Sequence, residues 1–206
     1  MTDSGQRRVF LVDDHPMVRE GLANLLRTAG FAVSGQAGSA RETVSHPALG
    51  ESHLAVVDLV LDDESGIDLV KRLRQRGMAV LVYSMHEGSP AIRQALAAGA
   101  GGYVTKREAF GSLLAAIEAV LAGARYLSPR AEAALRLSAA ANELAGQQLQ
   151  IYRLMGQGLS NEEIAERLGI SVRTLESYCV RIMDKLGVQG VKELRKQAIR
   201  TTGPNV

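Results

Sequence analysis

The sequence has 206 residues, of which 46% are hydrophobic and 22% charged, so its composition excludes a disordered chain and allows one large or two small folded domains. The net charge of +2 is unevenly distributed. Residues 1–125 contain 13 basic and 14 acidic residues, whereas residues 126–206 contain 11 and 8, which permits nucleic-acid binding by the C-terminal part.

No apolar run approaches the roughly 20 residues that a membrane span needs, and the polar N-terminus shows no signal peptide. The single cysteine, Cys179, excludes an internal disulfide and is typical of a reducing compartment. We therefore expect a cytoplasmic protein without membrane contact. The four histidines are scattered and neither CxxC nor HExxH occurs, so no zinc site is expected.

Strand patterns alternate with helical patterns through the first part of the chain. The strands are predicted over residues 8–12, 31–37, 54–61, 78–83 and 102–104, and a helical pattern follows each of them. This alternation predicts an α/β fold with a doubly wound, five-stranded parallel sheet over residues 1–122. Sheets of this kind place their sites outside the carboxyl ends of the strands.

The character of the chain changes after this alternation. Residues 123–143 begin Gly-Ala-Arg-Tyr-Leu-Ser-Pro and continue as an alanine-rich helical segment, which predicts a linker helix. Beyond it, four helical patterns occur and no strand pattern. We therefore predict a second, small all-α domain over residues 144–206.

The apolar run Leu54–Leu61 carries one carboxylate, Asp58. Such a short, valine-rich run is typical of a strand that helices cover on both faces. A charge in such a place is costly unless it is paired, binds a metal or lies where the sheet opens. Asp58 is therefore the centre of the candidate site.

Other polar residues follow the predicted strands, namely Asp13, Asp14, Ser84 and Lys106. Carboxylates gathered in one crevice need a cation, and their hard oxygens suit Mg²⁺. With Lys106 and the Ser84 hydroxyl, the set favours phosphoryl transfer to Asp58. Taken singly, each residue has an ordinary explanation: an aspartate pair before a helix is often only a cap, and Asp58 alone fits a satisfied buried acid.

Residues 8–121 resemble the receiver domain of bacterial two-component response regulators. The resemblance rests on Val12-Asp13-Asp14-His15-Pro16, on Asp58 with Gly66 eight residues later, on Ser84, and on residues 98–103 running into Lys106. It implies that a sensor histidine kinase transfers a phosphoryl group to Asp58, with Lys106 and Ser84 assisting. It also implies Mg²⁺ bound by Asp14, Asp58 and the Val60 carbonyl directly and by Asp13 through water, and a switch formed by Ser84 and Tyr103.

The candidate site departs from the family pattern in its loops. Asp62 stands where the family usually has proline, which predicts a freer, more acidic loop and an altered Mg²⁺ affinity. Met85 stands where a small residue is common, and Val60 is apolar. We expect Val60 and Met85 to shield a phosphoryl group from water, so that phospho-Asp58 is long-lived.

Two helical patterns, over residues 161–168 and 172–186, are joined by Gly169-Ile170-Ser171. This arrangement is typical of a helix-turn-helix whose second helix enters the major groove, although spacing alone favours an ordinary helical bundle equally. Residues 144–200 resemble the LuxR/NarL-type domain through residues 158–165, through residues 168–174 and through Lys185-Leu186-Gly187. Both resemblances together imply a DNA-binding transcription regulator rather than an enzyme, with double-stranded DNA as a partner.

The second helix of this motif carries the predicted DNA contacts. They are Arg173, Thr174, Glu176, Ser177, Tyr178, Arg181 and Lys185. Glu176 stands where the family commonly has a basic residue and is expected to accept from a cytosine amino group, whereas Arg173 and Lys185 suit phosphates. Tyr178 replaces histidine. Gln147-Gln148 replace an Arg-Glu pair, so a structural ion pair is expected to be missing.

The last helical pattern, over residues 191–200, has Val191, Leu194 and Ala198 at apolar positions. The resemblance implies that this helix forms a homodimer when the protein is phosphorylated. The alternative is packing on its own domain. Cys179 lies on an inward helical stripe and is expected to be a core residue rather than a redox sensor.

Two other functions are compatible with an aspartate at a strand end. An aspartyl-phosphate phosphohydrolase is disfavoured, because such an enzyme needs a second acid two residues after the nucleophile and Val60 stands there. A receiver-like module that never carries phosphate is disfavoured because the acidic set is complete.

Overall fold

The computed structural model describes residues 7–62, 64–142, 144 and 146–202. The predicted end of the linker at residue 143 and the predicted end of the second domain at residue 206 lie outside this part of the chain. Backbone proximity divides the chain into two compact units, residues 1–86 with 92–131 and residues 87–91 with 132–206. Within the described ranges, no helix has both the length and the apolar character that crossing a membrane requires.

The first unit contains a parallel sheet. Its strands are β1 (Arg8–Val12), β2 (Ala32–Ala37), β3 (Leu54–Val57), β4 (Ala79–Ser84), β5 (Gly102–Thr105) and β6 (Tyr126–Leu127). They lie in the order β2-β1-β3-β4-β5-β6. Because the order reverses beside β1, the carboxyl ends of β1 and β3 border the crevice in which doubly wound folds bind ligands. The predicted α/β class is confirmed.

Helices connect these strands. They are α1 (Pro16–Thr28), α2 (Ala40–Ser45), a 3₁₀ turn (Pro47–Glu51), α3 (Gly66–Gln75), α4 (Ser89–Ala97) and α5 (Phe110–Leu121), with α6 (Pro129–Asn142) after the last strand. Apolar residues of β1, β3 and β4 pack with α1 and α5 into one core.

The prediction of five strands is wrong by one. β6 pairs in parallel with β5, with Tyr126 beside Gly102 and Leu127 beside Tyr103. It lies within the segment predicted as a linker. Two residues are too few to show the alternation of side chains from which a strand is recognised, so only the pairing partner reveals it.

Strand β3 is shorter than the apolar run that predicts it. The strand ends at Val57, so Asp58 is the first residue after the strand and not a residue in its middle. Leu59 and Leu61 are nevertheless buried. The run continues past the strand because the loop also packs apolar side chains into the core.

Besides most of α6, the described part of the second unit contains the helices α7 (Gln147–Gly156), α8 (Asn161–Leu168), α9 (Val172–Leu186) and α10 (Val191–Thr202). Helix α8 begins with a capping box, in which Ser160 and Glu163 satisfy each other's backbone N–H groups. It ends at Gly169, whose φ of 63° is the left-handed conformation that glycine adopts at little cost. The side chain of Ser171 caps α9 by accepting a hydrogen bond from the Thr174 N–H. These caps define the turn between the two helices.

Gly66 permits a close approach between α3 and the loop that carries Asp58. A Cβ atom at this position would lie 2.3 Å from the Asp58 carbonyl oxygen and 2.5 Å from Leu59 Cα. The Gly66 N–H donates to the Leu59 carbonyl at 3.0 Å. The absence of a side chain at residue 66 therefore allows α3 to approach the backbone beside Asp58 and to bind it through this hydrogen bond.

We expect Gly66→Ala to lower the free energy of unfolding by about 2 kcal/mol, because backbone atoms must move to admit the methyl group. Urea unfolding measures this change. Gly111→Ala is the matched control: a Cβ there meets no atom within 4 Å, and alanine favours the helix α5. Equal stability of Gly66→Ala and the wild type would contradict the steric argument.

Candidate functional site

Three charged side chains from three strand ends meet at the carboxyl edge of the sheet. Lys106 Nζ lies 2.5 Å from Asp58 Oδ2 and 2.6 Å from Asp13 Oδ2. The side chain of Lys106 is 9% exposed, and those of both aspartates are 5% exposed. The structure therefore brings together three of the residues that the sequence predicts for this site.

The carboxylate of Asp58 is held from two sides. Its Oδ1 accepts from the Leu59 N–H at 2.6 Å and from the Val60 N–H at 3.4 Å, while Oδ2 faces Lys106. Neither oxygen is left without a donor. This arrangement orients the carboxylate although it is almost completely buried.

The charges around Lys106 outweigh its burial. Burial lowers the pKa of the ammonium, but hydrogen bonds and attraction from Asp13 and Asp58 raise it above the usual 10.5. The Tyr83 ring centre lies 5.9 Å from Lys106 Nζ. For the neighbouring Tyr83 hydroxyl, burial raises the pKa, although the positive charge of Lys106 opposes that rise. Lys106 is thus a fixed positive charge at neutral pH.

Asp13, Asp14 and His15 form a cluster that can hold a metal ion, since one possible ligand atom from each lies within 4.8 Å of the others. The His15 N–H donates to Asp13 Oδ1 at 2.9 Å, and His15 Nδ1 lies 2.6 Å from Asp14 Oδ1. The carboxylate oxygens match the preference of Mg²⁺. His15 was not predicted to belong to this cluster, although its place directly after the two aspartates was a usable signal.

Ser84 and Tyr103 are both completely buried. Ser84 Oγ accepts from the His86 N–H at 3.5 Å, and the Tyr103 hydroxyl donates to the His86 carbonyl at 2.8 Å. The Lys106 N–H donates to the Ser84 carbonyl at 2.8 Å. The two predicted switch residues therefore share the His86 backbone, and the ring of Tyr103 already faces inward.

The residues that depart from the family pattern border the site in different ways. The side chains of Val60 and Met85 are 47% and 54% exposed. Asp62 is exposed as well. Two apolar side chains thus stand at the solvent side of the loops that follow β3 and β4.

In the second unit, α9 has one buried and one exposed face. Leu175, Cys179, Ile182 and Leu186 pack into the helical core, where burial raises the pKa of the Cys179 thiol. The exposed face carries six of the predicted DNA contacts: Arg173, Thr174, Glu176, Ser177, Arg181 and Lys185. Val180, which the prediction omits, is 53% exposed on the same helix. Such a row of exposed side chains is available to a ligand outside the domain.

Tyr178, the seventh residue predicted to contact DNA, is only partly exposed. Its hydroxyl donates to Gln147 Oε1 at 2.7 Å, and the Arg181 guanidinium lies 5.9 Å from its ring centre. Lys185 Nζ donates to Gln148 Oε1 at 2.9 Å. At the place where the sequence predicts that an ion pair is missing, two glutamine side chains thus accept hydrogen bonds from α9.

Helix α10 packs mainly on its own domain. Leu194 and Ala198 are completely buried in the core, whereas Val191 is 38% exposed. Their burial leaves Leu194 and Ala198 no surface for a partner helix in this conformation. Arg195 donates to the Leu159 carbonyl and to Asn161 Oδ1, both at 2.6 Å, and so ties α10 to the start of α8.

Two family models match the chain. Residues 9–118 match the response regulator receiver domain, and residues 142–198 match the bacterial regulatory proteins of the luxR family. The chain is 34% identical to the transcriptional regulatory protein UhpA of Escherichia coli, covering 92% of this chain and 96% of that protein. It is 35% identical to the DNA-binding transcriptional activator DevR/DosR of Mycobacterium tuberculosis, covering 88% and 89%.

A solved structure of the RcsB response regulator from Salmonella typhimurium has a similar fold. It covers 93% of this chain and 97% of its own, with a TM-score of 0.63 at 24% identity. The similarity extends over both units of the chain.

We expect Lys106→Met to destabilise the protein by about 3 kcal/mol at pH 7, because two carboxylates then stay buried without their cation. Since the pKa of Lys106 is raised in the folded state, its contribution is fully present below about pH 10 and is lost as the pH rises beyond 10.5. Urea unfolding at pH 7 and above pH 10.5 measures the difference between variant and wild type.

Lys71→Met is the matched control, because Lys71 pairs with Asp68 on the surface and each side chain is 53% exposed. We expect it to change stability by less than about 1 kcal/mol. A difference for Lys106→Met that persists unchanged above pH 10.5 would contradict the assigned role of its charge.

Proposed function

The chain belongs to the response regulators of bacterial two-component systems that join a receiver domain to a LuxR-type DNA-binding domain, and we propose that Asp58 is its phosphoacceptor. The observation that carries this proposal is the Asp58 carboxylate at the end of β3, held opposite Lys106 Nζ at 2.5 Å. We also propose that residues 1–122 form the receiver domain, residues 123–143 the linker helix and residues 144–206 the DNA-binding domain. We propose that the protein acts in the cytoplasm, where bacterial DNA lies.

The proposed reaction transfers a phosphoryl group from a phosphohistidine of a sensor kinase. The N–P bond breaks and its electron pair returns to the imidazole, while a carboxylate oxygen of Asp58 forms the new O–P bond. Asp58 then carries an acyl phosphate, and Lys106 neutralises one of its oxygens. Ser84 is proposed to turn toward another of these oxygens.

We propose Mg²⁺ as the cofactor, held by Asp13, Asp14 and Asp58, with the Val60 carbonyl as a further ligand. The carboxylate oxygens of the Asp13–Asp14 cluster support this choice. The ion supplies charge neutralisation at the transferred group. Asp13 and Asp58 also bind Lys106, so ammonium and metal share the same carboxylates.

The output of the protein is the binding of DNA by α9. In the proposed interface, Glu176 accepts from a cytosine amino group, and Thr174, Ser177 and Arg181 lie along the same groove. Arg173 and Lys185 contact phosphates, which position the helix without specifying sequence. Because the Tyr178 hydroxyl donates to Gln147, we propose that Tyr178 contacts DNA through the surface of its ring and not through its hydroxyl.

Phosphorylation is proposed to favour a homodimer, by shifting the population toward a form that exposes the dimer helix. We propose that α10 forms the dimer through Val191 and Ile199, which are 38% and 52% exposed. Leu194 and Ala198, which the sequence predicts for this face, support α10 from inside the domain instead.

Incubation with Mg²⁺ and radiolabelled acetyl phosphate tests the phosphoacceptor. We expect one acid-stable, hydroxylamine-sensitive label per chain, absent in Asp58→Ala because no carboxylate remains to accept it. Asp68→Ala, which removes an exposed carboxylate on α3, is the matched control and keeps the label. Molar mass and DNA affinity, measured before and after labelling, are expected to rise together.

Each rival function gives a different result in this experiment. Steady release of phosphate without a lasting label would identify a phosphohydrolase, and the absence of any label would identify a binding module that carries no phosphate. A label that survives in Asp58→Ala would place the phosphoacceptor elsewhere.

The lifetime of the label tests the two apolar side chains at the site. We expect phospho-Asp58 to be long-lived, and Met85→Ala to shorten its half-life about threefold or more, since ~0.65 kcal/mol of activation free energy suffices for that factor. Leu25→Ala, an exposed apolar position on α1, is the control and leaves the half-life unchanged. A half-life of seconds that Met85→Ala does not alter would refute the shielding.

A further inference from the structure

Two adjacent glutamines connect α7 to the proposed DNA-binding helix α9. Gln147 Oε1 accepts from the Tyr178 hydroxyl at 2.7 Å, and Gln148 Oε1 accepts from Lys185 Nζ at 2.9 Å. Tyr178 and Lys185 lie seven residues apart, or about two turns of helix. The two hydrogen bonds therefore hold α9 at its middle and in its last turn.

We propose that Gln147 and Gln148 are positioning residues that fix Tyr178 and Lys185 through neutral amide groups, so that Lys185 is oriented while its full charge stays available for a DNA phosphate. This inference rests on the proposed function of α9. It assigns a role to two residues of α7 that are not among the predicted DNA contacts.

The neutrality of the acceptor is the essential feature. A carboxylate at residue 148 would also accept from Lys185, but it would cancel the ammonium charge at close range. An amide oxygen gives a hydrogen bond without this cancellation. Since charge neutralisation of phosphates supplies much of DNA affinity, the amide keeps Lys185 both ordered and effective.

The other hydrogen bond, from Tyr178 to Gln147, acts on a neighbouring cation. The Arg181 guanidinium lies 5.9 Å from the ring centre of Tyr178, a distance typical of a cation–π interaction. Gln147 holds the hydroxyl of that ring, so the ring cannot turn freely beneath Arg181. The two glutamines thus order one cation by a direct hydrogen bond and the other through an aromatic ring.

The decisive variant is Gln148→Glu, tested in the full chain after incubation with Mg²⁺ and acetyl phosphate. The probe is a 30-base-pair duplex of random sequence, because binding to phosphates does not depend on sequence. We expect the dissociation constant to rise about threefold to tenfold and the slope of log K against log salt to fall by about 0.9 for each DNA phosphate that the variant no longer neutralises. The thermal unfolding temperature is expected to stay equal or rise, because an ion pair replaces a neutral hydrogen bond.

Gln150→Glu is the matched control, since it makes the same change of net charge at an exposed position of α7. We expect it to leave affinity and salt slope near the wild-type values. A merely structural role for Gln148 would couple any loss of affinity to a loss of stability, whereas the proposal expects affinity to fall without such a loss. Equal effects of Gln148→Glu and Gln150→Glu, or wild-type binding by Gln148→Glu, would overturn it.

A second pair of variants tests Gln147. Gln147→Leu and Tyr178→Phe each remove the same hydrogen bond, so we expect each to weaken DNA binding and the double variant to be no weaker than either. Additive losses would overturn the role of Gln147. If the wild type binds no DNA in either phosphorylation state, the proposed function of α9 fails together with this inference, whereas normal wild-type binding with unresponsive variants overturns the inference alone.

Discussion

One ammonium group holds the first unit together at its functional edge. Lys106 Nζ bonds to Asp13 after β1 and to Asp58 after β3, and these residues follow strands that are far apart along the chain. Without this cation, two buried carboxylates would face each other across the crevice at considerable cost. The strand order, the loop after β3 and the position of Gly66 all serve to bring these three charges within bonding distance. In this site the charge of Lys106 offsets the charges of Asp13 and Asp58, so a new anion or cation that binds there must change these existing bonds.

Much of this arrangement is predictable, because strand ends and parallel pairing follow from the hydrophobic pattern. The sequence predicts that Asp13, Asp58 and Lys106 meet because each lies at or near the carboxyl end of a buried strand, and the structure brings the three side chains together. Strand β6 and the true end of β3 were not predictable in the same way. The first is only two residues long, and in the second case Leu59 and Leu61 prolong the apolar pattern while the backbone has already left the sheet. The spacing of the four histidines does not indicate His15, and only its place directly after Asp13 and Asp14 points to the cluster.

The second unit shows a different limit of sequence reasoning. In the sequence, Gln147 and Tyr178 are two separate departures from a family pattern, 31 residues apart. Only the folded chain shows that they are partners, because a hydrogen bond between two helices leaves no periodic trace in the sequence. Leu194 and Ala198 show that a periodic pattern can also be ambiguous. A helix that packs on its own domain and a helix that packs on a partner have the same apolar spacing. Burial in the three-dimensional core shows only that Leu194 and Ala198 pack on their own domain.

The bonds of Arg195 have a consequence for the length of the DNA target. Arg195 on α10 donates to the Leu159 carbonyl and to Asn161 at the start of α8, so two hydrogen bonds link α10 directly to the helix-turn-helix. In a dimer joined through α10, the separation of the two α9 helices is then a fixed dimension of the protein. Because successive major-groove faces recur about every 10.5 base pairs, such a dimer admits one spacing between its half-sites and resists an insertion of half a turn. In the proposed dimer, the distance between half-sites would therefore select DNA targets in addition to the proposed base contacts.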